Sequence, residues 1–78
     1  MRNFFDSTTI RLYHRFMKSR DLINLLKDNG WVLERIEGSH HIFKKAGNPY
    51  SISVPVHKGK DIKMGTALAI LKEAGIRK

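Results

Sequence analysis

The sequence predicts an α+β fold in which two helices pack on one face of a three-stranded antiparallel sheet. Two observations lead there. An apolar helical stripe closed by a glycine lies on each side of a central block, and that block holds three short apolar segments separated by the turn signals Gly38-Ser39 and Ala46-Gly47-Asn48-Pro49. The implied order is αβββα, with the second face of the sheet left in water.

The first helix follows Met17-Lys18. Ser19 is suited to cap its first free amides, Asp21 sits near the positive helix end, and Leu22, Ile23, Leu25 and Leu26 form one stripe. Asn29-Gly30 stops it, with Gly30 free to adopt a left-handed conformation. Trp31 to Glu37 and His40 to Lys45 read as a hairpin. In the first of these strands Trp31, Leu33 and Arg35 share a face, while Val32 and Ile36 flank Glu34 on the other, an imperfect alternation. Ser51 to Val56 alternates cleanly, with Ile52, Val54 and Val56 on one side and the serines on the other. Pro55, which cannot donate to a ladder, marks an edge or a strand end. After the loop HKGKD, a second helix begins between Lys63 and Thr66. Met64, Ala67, Leu68, Leu71 and Ala74 share its inner face, Ile70 borders it, and Gly75 stops it.

Residues 1–16 do not fit this scheme. Phe4, Phe5, Ile10, Leu12, Tyr13 and Phe16 are interrupted by Arg2, Arg11 and Arg15, so no amphipathic stripe emerges. We expect residues 1–16 to be an extension and residues 17–78 to be the domain, as they would be if translation began at Met17.

Composition restricts the function. A chain of 78 residues supports one compact domain with a thin core. Fifteen Lys and Arg against seven Asp and Glu give a net charge of +8, which points to a polyanionic partner. No apolar run approaches the ~20 residues that span a bilayer, so no membrane role is expected. Having no cysteine excludes disulfides and thiol nucleophiles, and the N-terminus has no secretory h-region, so the cytoplasm is the expected compartment.

The stretch GSHHIF carries the sharpest chemical signal, because His40 and His41 stand directly after a turn at the start of a strand. An imidazole exchanges protons near neutrality. RNA carries its own nucleophile in the 2'-hydroxyl, so cleavage by transesterification needs a base, an acid and cations near the phosphorane, and no metal. Adjacent residues on a strand point to opposite faces. One histidine is therefore free for chemistry while the other packs, but both parities carry a large apolar residue, Ile42 or Phe43, and the pattern alone leaves the choice open. His57, after the third strand, is a second candidate acid-base or phosphate-binding group at the same sheet end.

Four histidines without cysteine or HExxH make a weak zinc case, and no metal or other cofactor is expected. Lys44, Lys45, Lys58, Lys60 and Lys63 bracket the sheet rim and the second helix start, where lysines and free amides favour phosphate. Trp31, Phe43 and Tyr50 are candidates for base stacking, with Trp31 better suited to the core.

The combination of DNGWVLERIEGSHHIF, VPVHKGKDI and MGTALAILKEAGI resembles the HicA toxins of bacterial HicA-HicB toxin-antitoxin systems. The likeness covers about residues 17–76. It is specific at Gly30-Trp31 through Gly38-Ser39-His40, at Val54-Pro55-Val56-His57, and at Gly65-Thr66 opening a helix that closes with Ala74-Gly75. The resemblance implies a double-stranded-RNA-binding-like αβββα fold and an mRNA interferase acting on single-stranded mRNA. It also implies His40 as the catalytic residue, with Ser39, His41 and His57 as possible accessories, and a HicB-type antitoxin that occludes the site in a complex that represses its own operon. Typical members begin near Met17, so residues 1–16 depart from the family pattern. The competing expectations are a non-catalytic RNA-binding module of the same fold and a basic surface that docks an acidic protein.

Overall fold

The computed structural model describes residues 15–76. The proposed extension lies outside the described residues except for Arg15 and Phe16. In chain order the elements are β1 (Phe16–Met17), α1 (Ser19–Asp28), β2 (Val32–Glu37), β3 (His40–Lys44), β4 (Ile52–Pro55), β5 (Ile62–Lys63) and α2 (Met64–Glu73). The α+β arrangement expected from the pattern is present, and a short ribbon is added to it.

α1 forms because Leu22 and Leu26, one helical turn apart, are fully buried, while Ile23 and Leu25 pack at the edges of the core. Its start differs from expectation. Extended Lys18 takes the cap position and Ser19 is already helical, with no side-chain cap hydrogen bond. The chain arrives from β1, which uses Met17 as a core residue, so the turn into the helix falls on Lys18.

Both helices end alike. The Gly30 N–H donates to Lys27 and the Trp31 N–H to Leu26, while Gly75 donates to Lys72 and Ile76 to Leu71. Each glycine has positive φ, +91° at Gly30 and +75° at Gly75, a region where an L side chain is strained. Trp31 is only 1% exposed, and its indole N–H donates at 3.4 Å to the Ala74 carbonyl at the end of α2. One tryptophan thereby ties the two helix ends together and occupies the core, which excludes it from base stacking.

β2, β3 and β4 form an antiparallel meander in that order. The imperfect alternation of β2 has a physical cause. Leu33 pairs with Phe43 and Arg35 with Ile42, so the register slips at Glu34. This irregularity returns Leu33 and Ile36 to one face, a correction to the simple alternation. Phe43, Ile52 and Val54 on that face are buried beneath the helices, as are Ala67, Ile70 and Leu71 of α2. Ile70 is thus core rather than border, and Phe43, at 0% exposure, is unavailable for stacking. Leu33 and Ile36 remain exposed, because the helices pack chiefly on β4 and leave the β2 edge uncovered.

The unexpected ribbon pairs Phe16 with Lys63 and Met17 with Ile62, and the Arg15 carbonyl accepts the Met64 N–H at 2.8 Å. Met17 and Ile62 are buried in the common core. Two-residue strands carry no readable periodicity, which is why the sequence does not announce them. Among the described residues no helix is long and apolar enough to cross a membrane.

Candidate functional site

The hairpin register separates the two histidines. His41 pairs with Ile36 on one side and Val54 on the other, which puts it on the helix-facing side, half-buried, with a buried Nδ1 that has no hydrogen-bond partner among the described residues. His40 pairs with Glu37 and Pro55 on the open face and is exposed. Among the described residues the helices cover only one side of the sheet, so the parity of Phe43, which anchors the core, determines which ring is exposed.

Around His40 the open face is polar. The next row holds Arg35, Ile42 and Ser53, and Ile42 is buried between its neighbours. The Ser53 hydroxyl lies 3.2 Å from the His40 Nδ1. Arg35 ion-pairs with Glu34 and with Glu37. The hydrogen bond to Glu37, reinforced by the charges of both carboxylates, holds the Arg35 guanidinium above its ordinary pKa. These groups are exposed, so the pairs organise the surface more than they stabilise the fold. They also engage Glu37, which lies directly across from His40. Sequence reasoning missed Ser53, Arg35 and Glu37. Only the register across three strands brings them beside His40, and no local pattern reports that.

The remaining predicted residues fall at the two ends of the sheet. Ser39, in the half-buried turn before β3, accepts the Val56 N–H on its carbonyl at 2.7 Å, which ties the exit of β4 to the His40 end. His57 follows and is exposed. With Lys58, Lys60 and Asp61 it lines a cleft whose other wall is Lys18, Ser19 and Arg20 at the start of α1. Lys18 and Arg20 were not among the expected phosphate ligands, although they flank the predicted helix start, where free amides and basic side chains coincide. Lys63 lies on β5 beside Phe16, lining a neighbouring depression with Lys60 and Asp61. Lys44 shares the open face with His40 but stands at the far end of β3, ~14 Å along the strand. Lys45 follows it, half-buried, with its aliphatic stem over Gly30. Tyr50 is exposed beside Trp31 and Asn48, also at that far end. Among the described residues no three His, Asp or Glu side chains converge as a metal site would require.

Residues 19–76 match the family model described as HicA toxin of bacterial toxin-antitoxin. The chain belongs to the HicA toxin family. The match spans well over half of the sequence and ends with the second helix and its glycine stop. No curated protein matches the chain. As a HicA toxin, the protein is the toxin component of a toxin-antitoxin pair with an antitoxin as its partner, and its two helices on a three-stranded antiparallel sheet agree with the double-stranded-RNA-binding-like fold of the family.

Proposed function

We propose that this HicA toxin is an endoribonuclease that cleaves single-stranded mRNA in the cytoplasm, without a metal, through His40. The observation that carries the reading is that His40 alone of the adjacent pair stands on the open face, exposed and hydrogen-bonded by its inner ring nitrogen. The His40 Nε2 takes the proton of the 2'-hydroxyl. The 2'-oxygen then forms a bond to phosphorus as the bond from phosphorus to the 5'-oxygen breaks. The products are a 2',3'-cyclic phosphate and a 5'-hydroxyl whose proton comes from a second acid. His57, at the same end of the sheet, is suited to that role or to holding a phosphate.

Lys58, Lys60, Lys18 and Arg20, which line the cleft with His57, and Lys63 in the neighbouring depression supply the cations for the RNA backbone. Lys44 and Lys45 extend the basic track to the far end of the sheet. These side chains are at the surface; among the described residues no charged side chain is buried. A HicB-type antitoxin would silence the enzyme by covering the open face. The test is incubation of the purified protein with single-stranded RNA in EDTA. Fragments ending in 2',3'-cyclic phosphate are expected, whereas intact RNA that remains bound would make the protein an RNA-binding module.

A further inference from the structure

We infer that Ser53 is a positioning residue for His40: its hydroxyl accepts the Nδ1–H, fixing the tautomer that leaves Nε2 free to take the substrate proton. The inference rests on the proposed ribonuclease reaction, and it goes beyond it by assigning a role to a residue on a different strand.

Among the described residues the geometry offers one partner to Nδ1. Ser53 Oγ lies 3.2 Å away, on the strand beside His40 and two residue pairs along from it, on the same face. The cross-strand carboxylate of Glu37 is held by Arg35. Of the other charged groups on this face, Arg35 is committed to Glu34 and Glu37 and Lys44 stands at the far end of β3, while β4 contributes no charge at all. A neutral imidazole carries its proton on one nitrogen only, and the hydrogen bond made by one nitrogen selects the role of the other. If Ser53 donated to Nδ1, Nε2 would carry the hydrogen and could not act as a base. If Ser53 accepts from Nδ1–H, Nε2 presents a lone pair, and the same hydrogen bond survives when Nε2 gains the 2'-hydroxyl proton. Only the second arrangement is compatible with His40 before and after proton transfer.

Strand formation does not explain a serine here. Ser53 lies between buried Ile52 and Val54 and its own side chain is on the open face, where a β-branched residue would suit the strand better. A hydroxyl is instead useful for what it bonds.

The test compares Ser53→Thr with Ser53→Val. The two replacements have the same shape and both favour strands, so they differ in the hydroxyl alone. Three readouts are taken: kcat, KM for a short single-stranded RNA, and the nitrogen NMR signature of the His40 ring, assigned by its loss in His40→Ala. Threonine should keep kcat near wild type. Valine should lower it by about ten- to a hundredfold, the worth of one hydrogen bond to a group that becomes charged, with KM little changed. The ring should carry its hydrogen on Nδ1 in wild type and threonine, and move toward Nε2 in valine. A valine variant with wild-type kcat, or with an unaltered ring signature, overturns the assignment. Failure of the wild type to cut any RNA would overturn the proposed reaction instead, and the ring signature would still decide whether Ser53 sets the tautomer.

Discussion

His40 and His41 are chemically identical neighbours, and the difference between them is their position relative to Phe43. Phe43 is fully buried, His41 shares its parity, and His40 is left on the side the helices do not cover. Periodicity could not reveal this, because Ile42 gives the opposite parity an equally apolar residue. The register thus leaves exposed the ring that we propose as the catalytic one. The glycine stops, by contrast, are legible one residue at a time. Gly75 has φ of +75° with open space around it, so Gly75→Ala introduces backbone strain without a clash. It should cost about 1–2 kcal/mol, read as a lowered urea midpoint with an unchanged slope.

At the level of elements, helices and hairpin were readable because each had at least a full period of pattern and a turn residue at its end. The irregularity at Glu34 was not, since a single extra residue in β2 imitates poor alternation until its partner strand is known. Nor was the β1–β5 ribbon, which is built from two residues on each side. Ser53 was invisible for a related reason: its meaning lies across the β3–β4 ladder and nowhere along its own strand. The uneven cover of the sheet leads to a paired prediction. Phe43→Ala, under the helices, should destabilise the fold by about 3–5 kcal/mol. Ile36→Ala lies on the same face but 56% exposed at the uncovered edge, and should cost well under half of that in the same denaturation series. Equal losses would mean that the helices reach β2 in solution.

For the whole molecule, the net charge of +8 and the surface position of the described cations imply that affinity for the proposed RNA substrate would be dominated by salt-dependent pairing with phosphates. Replacing Lys58 and Lys60 together with Gln should weaken binding and reduce the slope of log affinity against log salt by roughly 0.7 for each phosphate no longer neutralised, as for single strands. The maximal cutting rate of bound RNA should change far less than the affinity. The proposed cleavage, in turn, would depend on the exposed ring being the one that does chemistry. The most direct measurement is therefore the cleavage rate of His40→Ala beside that of His41→Ala, on the same single-stranded RNA in EDTA, once circular dichroism shows both to be folded. His40→Ala should lose about 10²–10⁴-fold in rate, the usual contribution of a general acid-base group, while His41→Ala keeps a rate near wild type. Undiminished cutting by His40→Ala, or a loss confined to His41→Ala, would contradict the assignment of the chemistry to His40.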